Sequence, residues 1–313
     1  MAQFENSSKL QVLNSKQVIA FGEIIWDILP SGRVMGGAPA NFAIRMQSLG
    51  HRVTLVSRVG QDGLGAEALL QLKTRGVDIG SVAVDEKFPT GTAQVQIQPD
   101  GSPVFSIIPN VAYDYITRTP ELSEAVRAAD FFCFGSLVQR SDISRATLRA
   151  LLADTTGIRV LDLNLRPACF TPECVPESLA FADILKLNLQ EAHYIKAVLG
   201  WPQLDEMQMA QELVRKFELE VCLITLGGQG VIAAQQGLDP VNVPGFSVEV
   251  IDTCGSGDGF TAAFLDAYSR GESLYDACRK GNAMGALVAA TPGATTPISS
   301  QQLQDLLLAS DPS

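Results

Sequence analysis

Strand-like and helix-like segments alternate along most of this 313-residue chain, and this alternation limits its fold more than any other feature. The apolar runs QVIAFGEII (17–25) and RVTLVSRVG (52–60) are typical of strands, whereas APANFAIRMQSLG (38–50) and GAEALLQLKTRG (65–76) have helical periodicity. Parallel strands joined by helices must be covered on both faces. We therefore predict an α/β fold with a central, mostly parallel sheet flanked by helices on both faces.

The segment from about 80 to 110 departs from this rhythm. SVAVD, GTAQVQIQ and PVFSII are strand-like without intervening helices, and PDG is typical of a hairpin turn. We predict that this segment, with about 22–35, forms a small β-sheet lid; an antiparallel extension of the main sheet is the alternative. A single domain is expected over 17–308, with 1–16 and 309–313 as flexible tails.

Composition argues against several classes of protein. The chain has 23 Lys and Arg against 34 Asp and Glu, a net charge of −11, and no polybasic run, so no nucleic-acid partner is expected. No stretch approaches about 18 consecutive apolar residues, and the N-terminus lacks a signal-peptide core, so no membrane partner is expected. The six cysteines show no CxxC spacing and are typical of reduced thiols in a cytoplasmic protein.

Polar or glycine-rich residues follow four predicted strands. Open α/β sheets bind ligands beyond the carboxyl ends of their strands, so these residues are candidates for one site. The last of the four strands is the alternating run FSVEV (246–250), which precedes residues 252–258. The residues after the other three strands are Asn164, Arg166, Lys186, Asn188, Glu191, Thr225, Gly227 and Gly230.

The stretch IDTCGSGDG (251–259) leads into a predicted helix. Gly255, Ser256 and Gly257 can direct backbone N–H groups at an anion, and the positive end of the helix adds to their effect. Asp258 would repel that anion. Its presence here is explained if it acts as a general base toward a hydroxyl that attacks a bound phosphate. The alternative is an acid that only stabilises the first helical turn, by about 0.3–1 kcal/mol.

A second glycine-rich stretch, MGGAPANFA (35–43), precedes another helix. Gly36 and Gly37 would let a ligand lie against bare backbone, and Asn41 offers both a donor and an acceptor to hydroxyl groups. Asp27 could accept hydrogen bonds from vicinal hydroxyls. A tight turn and a solvated loop acid are the alternatives.

Other candidates also allow two interpretations. Asn188 and Glu191 have the spacing of a capping box, or they could hold hydrated Mg²⁺. Arg166 could pair with a phosphate, with substrate or with Asp162. Thr225 and the following GGQG fit a nucleotide loop or a hairpin turn, and the small-residue helix 281–294 fits an adenine ring or close packing. No Walker A sequence is present.

GGAPANFA and DTCGSGD resemble the two signatures of the ribokinase-like (PfkB) carbohydrate kinases, and the resemblance covers about 17–308. GEIIWDILP, PTGTAQVQI, FGSL, DLNLRP and KLNLQE look most like fructokinases. The resemblance implies a ribokinase-like fold and an ATP-dependent phosphoryl transfer to a sugar, with Mg²⁺. The second signature usually reads DTxGAGD; here Ser256 replaces alanine, and both residues are small.

Carried over by position, the resemblance also implies roles for individual residues. Asp258 matches the catalytic base and Gly255, Ser256 and Gly257 match the anion hole, while a monovalent cation such as K⁺ is common near Asp252. The substrate contacts are then Asp27, Gly36, Gly37, Asn41 and Arg166; the nucleotide contacts are Lys186, Asn188, Thr225, Gly227, Gly230 and Asn282; and the Mg²⁺ contacts, through water, are Asn188 and Glu191.

These observations predict a cytoplasmic fructokinase that converts ATP and D-fructose to ADP and fructose 6-phosphate. The alternatives within the family are 2-keto-3-deoxygluconate kinase, ribokinase and nucleoside kinase. An alternative from another class is a kinase-like protein that binds sugar or a partner without catalysis. The exposed face of the lid is a candidate surface for a homodimer.

Overall fold

The structure, a computed structural model, describes residues 15–30, 32–97 and 103–309. In chain order its strands are β1 (Gln17–Phe21), β2 (Ile25–Leu29), β3 (Gly32–Gly36), β4 (Arg52–Gly60), β5 (Val82–Asp85), β6 (Gly91–Ile97), β7 (Pro103–Ile107), β8 (Phe131–Phe134), β9 (Ile158–Asp162), β10 (Ile184–Asn188), β11 (Val221–Thr225), β12 (Gly230–Gln235) and β13 (Val241–Pro244). Its α-helices are α1 (Ala38–Ser48), α2 (Gly63–Thr74), α3 (Pro120–Arg127), α4 (Asp142–Asp154), α5 (Cys174–Phe181), α6 (Leu189–Leu199), α7 (Glu206–Phe217), α8 (Ser256–Ser269), α9 (Leu274–Ala289) and α10 (Ser300–Ala309).

Nine strands form one large sheet, in the order β13-β12-β11-β10-β9-β8-β1-β4-β5. The strands from β11 to β5 in this order are parallel to their neighbours, whereas β12 and β13 pair antiparallel. Along β1, Ile19 and Phe21 belong to one buried core, and Val18 and Ala20 belong to a second core. Both faces of the sheet are therefore covered, and the predicted α/β fold is confirmed.

The order of strands reverses next to β1. The chain passes from β1 to β4 and β5 on one side, and later adds β8 and the following strands on the other side. The predicted strand 17–25 is wrong as a single element, because the backbone turns at Gly22, whose φ is 149°. Residues 22–24 therefore lie at the carboxyl end of β1, beside the crevice where open α/β sheets bind ligands.

A smaller sheet has the strand order β3-β2-β6-β7 and forms a hydrogen-bonded unit separate from the large sheet. We call this smaller sheet the lid. Strands β2 and β3 form an antiparallel hairpin, and β6 pairs parallel with β2 and antiparallel with β7. Trp26 anchors the lid, since its side chain is buried and its Nε1 donates to the carbonyl of Leu64, 3.1 Å away. The predicted small sheet is confirmed.

Two predicted strands need correction. Val82–Asp85, assigned to the lid as part of 80–110, pairs parallel with β4 at the edge of the large sheet, because α2 supplies the helical crossover that parallel pairing requires. FSVEV (246–250) is not a strand: β13 ends at Pro244, and Val250 is 61% exposed. The PDG turn (99–101) and most of the two predicted tails lie outside the described residues.

Helices α8 and α9 pack closely through small residues. A Cβ atom on Gly281 would lie 2.8 Å from the ring of Phe260, and one on Gly259 would lie 2.9 Å from Val288. The glycines therefore let the two helices approach, which supports the packing interpretation of the small-residue helix. No helix in the described part of the chain is long and apolar enough to cross a lipid bilayer.

We predict that Gly281→Ala lowers the free energy of unfolding by about 1–3 kcal/mol, because the added methyl group overpacks the contact with Phe260. Alanine would otherwise stabilise a helix interior by up to about 1 kcal/mol. Denaturant unfolding measures the change. Gly63→Ala, where a Cβ meets no atom within 4 Å, is the control. Stabilisation by Gly281→Ala would contradict the tight packing.

Candidate active site

A cavity of about 800 Å³ lies between the lid and the carboxyl ends of the strands of the large sheet. From the lid side it is lined by Ile25, Asp27 and Ala93. Most of the predicted site residues meet here, although they come from distant parts of the sequence. Those that line the cavity are Asp27, Gly37, Asn41, Arg166, Lys186, Asn188, Thr225, Gly227, Asp252, Gly255, Gly257 and Asp258.

Asp258 lies in the first turn of α8, and its carboxylate lines the cavity. Asn41, from α1, donates a hydrogen bond from Nδ2 to Asp258 Oδ2 over 2.9 Å. Burial, reinforced by the negative charge of Asp162, raises the pKa of Asp258 to about 6. The hydrogen bond from Asn41 and the positive charges of Lys186 and Arg166 act in the opposite direction. Asp258 is therefore an oriented carboxylate whose basicity exceeds that of an ordinary aspartate.

The glycine turn (Gly255–Gly257) begins α8 as predicted, but its three residues differ. Gly255 is the N-cap residue, with a φ of 77°, and Gly255 and Gly257 line the cavity. Ser256 does not line it: its N–H donates to the carbonyl of Thr253 over 3.2 Å, and its buried Oγ has no hydrogen-bond partner among the described residues. The bare backbone at the cavity is therefore provided by the two glycines, next to the positive end of the helix.

A buried ion pair lies beneath this turn. Lys186 Nζ is 3.0 Å from Asp162 Oδ1, and both residues are buried. Burial alone would lower the pKa of Lys186, but the carboxylates of Asp162 and Glu191 raise it above its usual value. A Cβ on Gly257 would lie 2.9 Å from Nζ. The ammonium group therefore stays charged and lies against the glycine turn.

The half of the cavity near the lid is acidic apart from Arg166. Burial raises the pKa of Asp27 to about 6, and Arg166 partly offsets this effect. Gly36 does not line the cavity, but a Cβ there would lie 3.2 Å from Asp27 Oδ2. A Cβ on Gly37 would lie 2.5 Å from the carbonyl oxygen of Glu23, and the φ angle of Gly37 is 104°. The absence of a side chain at Gly36 leaves space for the Asp27 carboxylate, and its absence at Gly37 leaves space for the backbone of Glu23.

Asn188 and Glu191 form the predicted capping box of α6. Asn188 Oδ1 accepts from the N–H of Glu191 over 2.9 Å, and Glu191 Oε2 accepts from the N–H of Asn188 over 2.8 Å. The other oxygen of Glu191 accepts from the N–H of Leu165 over 2.7 Å. Glu191 is buried and lies outside the lining of the cavity, whereas Asn188 lines it. Of the two, only Asn188 is placed to meet a ligand directly.

The predicted nucleotide contacts divide into two groups. Thr225 and Gly227 line the cavity at the end of β11. Gly230 and Asn282 do not line it. A Cβ on Gly230 would lie 2.1 Å from the carbonyl oxygen of Val243, and Asn282 Nδ2 donates to the carbonyls of Val243 and Pro244, each over 3.0 Å. These two residues therefore hold the hairpin of β12 and β13.

Asp252 lines the cavity, but both of its carboxylate oxygens already accept backbone hydrogen bonds. Oδ1 accepts from the N–H of Cys254 over 3.0 Å, and Oδ2 accepts from the N–H of Gly293 over 3.1 Å. Asp252 thus joins the segment before α8 to the loop after α9. A cation bound here would share this carboxylate with two backbone N–H groups.

The same loop is held from the opposite side by Arg45 of α1. Arg45 is buried, and its Nη2 donates to the carbonyls of Ala294 and Thr296 over 3.4 and 3.2 Å. Burial lowers the pKa of Arg45 to about 10. A Cβ on Gly255 would lie 2.4 Å from the Cβ of Ala294, so the loop packs directly against the glycine turn.

Sequence reasoning missed Glu23 and left Asp162 only as a partner for Arg166. Glu23 is 4% exposed and lines the cavity, and burial raises its pKa to about 7. It was hidden inside the predicted strand 17–25. A strand ending at Phe21 would have placed Glu23 at a carboxyl end, with the other candidates. Asp162 pairs in register with Lys186 across β9 and β10.

The family model that matches this chain is "pfkB family carbohydrate kinase", over residues 30–301. The chain belongs to this family. It is 30% identical to a fructokinase of Escherichia coli over 268 residues, which are 82% of this chain and 85% of that protein. It is also 30% identical to fructokinase-1 of Oryza sativa subsp. japonica over 308 residues, 90% of this chain and 94% of that protein.

Solved structures of the same fold are similar over nearly the whole chain. The fructokinase of Xylella fastidiosa with bound ATP has a TM-score of 0.83 at 22% identity, covering 94% of this chain and 99% of that one. The fructokinase of Vibrio cholerae O395 with fructose, ADP and calcium ion has a TM-score of 0.80 at 23% identity, with the same coverage. The predicted ribokinase-like fold, with its small lid sheet, is confirmed.

We predict that Asn188→Ala and Asp205→Ala destabilise the protein to a similar extent, about 0.5–2 kcal/mol, because each removes the N-cap of a capping box. Only Asn188→Ala should also reduce kinase activity, since Asn188 lines the cavity and Asp205 does not. Thermal unfolding and an ADP-release assay measure the two effects. Equal activity of the two variants would limit Asn188 to capping.

Proposed function

We propose that this chain is an ATP-dependent fructokinase, which transfers the γ-phosphoryl group of ATP to the 6-hydroxyl of D-fructose. The observation that carries this proposal is the meeting of Asp258 with the two cavity-lining glycines at the N-terminus of α8. A base and an anion-binding backbone thus face the same space. Kinases need little beyond such positioning and electrostatic stabilisation.

The chemical roles follow from the hydrogen bonds of Asp258. Asn41 donates to Oδ2, so Oδ1 is the oxygen available to a sugar hydroxyl. As the hydroxyl oxygen bonds to the γ-phosphorus, the bond to the departing ADP oxygen breaks and the hydroxyl proton passes to Asp258. Such general-base assistance is typically worth about 10²–10⁴ in rate.

Negative charge on the transferring phosphoryl group needs positive groups around it. The N-terminus of α8 and the N–H groups of the glycine turn supply part of this charge. Lys186, which stays charged and lies beside Gly257, adds positive charge at the same point, partly offset by its partner Asp162. Lys186 is held by its ion pair and the glycine turn by α8, and charged groups held in this way by the fold are the most effective at electrostatic stabilisation.

We also propose Mg²⁺ as the metal of the reaction. No cluster of three or more His, Cys, Asp or Glu able to hold a metal occurs among residues 15–30, 32–97 and 103–309. Mg²⁺ does not need such a cluster, because it keeps several of its waters and binds mainly through nucleotide phosphates. Asn188 would hold it through water, with Glu191 fixing Asn188 in place. The ion would supply charge neutralisation on the phosphates.

A monovalent cation such as K⁺ near Asp252 is a further proposal. It draws support from the position of Asp252 beside the glycine turn and from a potassium-bound fructokinase of Vibrio cholerae O395 among the similar structures. Replacement of KCl by tetramethylammonium chloride in the assay tests it. An unchanged rate would remove the cation from the site.

D-fructose is the proposed sugar because fructokinases are prominent among the similar proteins. Asp27, Asn41 and Arg166 would bind its hydroxyl groups in the half of the cavity near the lid. An assay of ADP release with fructose, 2-keto-3-deoxygluconate, ribose and nucleosides separates the family alternatives. Sugar binding without ADP release from any of them would instead support a non-catalytic protein.

Two proposals concern the surroundings of the enzyme. A homodimer through the lid is supported by Val34, which is 44% exposed on β3. Light scattering of the protein and of Val34→Glu tests it, and a monomer at all concentrations would contradict it.

A cytoplasmic location is supported by free cysteines, of which Cys133, Cys174, Cys222 and Cys278 are buried. Fractionation of the source cells would check this.

We predict that Asp258→Asn lowers kcat by at least about 10²-fold while the protein remains folded, because the amide cannot accept the hydroxyl proton. Asp276→Asn is the matched control, since Asp276 is the first-turn acid of α9 and is exposed. That control should lose at most about 1 kcal/mol of stability and no turnover. Near-normal turnover of Asp258→Asn would reduce Asp258 to a helix-stabilising residue.

The pH dependence of kcat provides a second prediction. The raised pKa of Asp258 means that its anionic form is lost as the pH falls through about 6 rather than through about 4. Asn41→Ala removes the hydrogen bond that stabilises the anion, so it should shift the acidic limb to higher pH. Initial rates between about pH 5 and 9 give both profiles. An unchanged limb in the variant would show that another group controls it.

A further inference from the structure

Glu23 is a buried carboxyl group for which the proposed reaction has no role so far. It follows β1 at the place where the strand order reverses, between β1 and β8. Its own backbone N–H and that of Ala38, the first residue of α1, both favour the anionic form of its carboxylate. Among residues 15–30, 32–97 and 103–309, no side chain donates a hydrogen bond to this carboxylate. The Glu23 carboxylate is therefore held at the N-terminus of α1 and can still accept a hydrogen bond or a proton from a group in the cavity.

Glu23 and Asp258 share a second, much smaller cavity. Its volume is about 20 Å³, which is enough for one water molecule. Its lining is mostly apolar, and the polar residues among it are Glu23, Asp258, Asp162, Asn164 and Ser136, which are the candidate partners of a water there. Glu23 and Asp258 also line the large cavity. The two residues therefore border the same two spaces, which places them on either side of a position that a water molecule could occupy.

The charges around Glu23 come from several elements of the fold. Arg166, after β9, favours its anionic form, and Asp258 of α8 disfavours that form. The other titratable groups that interact with it or line the small cavity with it are Tyr113, Cys133 and Asp162. Burial is the largest influence and raises the pKa of Glu23 to about 7, above the value of about 6 for Asp258. A proton shared by the pair therefore favours Glu23.

We propose that Glu23 takes up the proton that Asp258 removes from the sugar hydroxyl, through a water molecule in the small cavity. This inference rests on the proposed kinase function. Asp258 gives its proton to the water, and the water gives one of its own protons to the Glu23 carboxylate. No other bond changes. Asp258 is again an anion and Glu23 is neutral, and Glu23 releases the proton to solvent after the products leave.

The transfer has a physical consequence for the products. A neutral Asp258 would attract the new phosphate ester by a hydrogen bond, whereas an anionic Asp258 repels it. Returning Asp258 to its anionic form before the products leave therefore favours release of the sugar phosphate. Glu23 thus acts on the reaction through Asp258, as a positioning residue for the proton.

Glu23→Gln tests the proposal with little change in shape. The glutamine amide oxygen can still accept the hydrogen bond from Ala38, but it cannot take up a proton. We expect kcat to fall about 10-fold, less than the 10²–10⁴ typical of a general base because Asp258 still removes the hydroxyl proton, with the KM for sugar changed less than about twofold. Glu121→Gln, an exposed acid on α3, is the control and should keep normal turnover.

The profile of kcat against pH distinguishes proton uptake from a structural role. The wild-type enzyme needs both carboxyl groups deprotonated at the start, so its kcat should begin to fall near pH 7 and the slope should approach two only below about pH 6. Glu23→Gln should lose the step near pH 7 and keep a single limb near pH 6 with a slope of about one. Glu23→Ala opens space for a small carboxylate, and added formate should restore much of its kcat while chloride should not.

Each outcome decides a separate question. A Glu23→Gln enzyme with kcat within twofold of wild type at every pH would overturn the proton transfer. So would a change in KM alone, which would make Glu23 a sugar contact. If Glu23→Gln does not fold, a wild-type limb with a slope of about one overturns the proposal on its own. A wild-type protein inactive with every sugar would instead overturn the proposed kinase function.

Discussion

The buried ion pair between Lys186 and Asp162 holds the catalytic end of the molecule together. Because these residues are paired in register on β9 and β10, their charged groups are brought together by the large sheet itself. Thr261 of α8 lies within hydrogen-bonding distance of Asp162, and Gly257 of the same helix lies against the ammonium group. Loss of either charge would leave the other buried without compensation, at a cost of about 3–5 kcal/mol. The helix that carries Asp258 is therefore fixed relative to the strands on which the rest of the site is built.

Burial away from water determines the pKa values of the carboxyl groups in this site. Glu23, Asp27 and Asp258 each have a raised pKa because each is largely buried, and Arg166 is the cation that offsets all three. A polyol with many hydroxyl groups suits such an environment, since it can donate hydrogen bonds to carboxylates without adding charge. The phosphate end is different, because Lys186 and the start of α8 supply the positive charge that an anion requires.

The sequence allowed much of this site to be predicted, because the chemistry of Asp258 and Asn41 is marked by glycine-rich turns next to strand ends. The prediction failed where the answer depends on register or on the exact end of a strand. That Lys186 faces an acid on β9 follows only from the pairing of two strands. Glu23 was concealed by an apolar run that continues through a turn. The alternating residues 246–250 looked like a strand, yet no neighbouring strand pairs with them among the described residues.

Arg45 connects two parts of the candidate active site. Its helix carries Asn41, and its guanidinium group holds the loop at Ala294 that packs against Gly255. With the contact between Asn41 and Asp258, this makes α1, α8 and that loop a single rigid block. A substitution that displaces Arg45 would therefore disturb two things at once: the amide that orients Asp258 and the loop that packs against the start of α8.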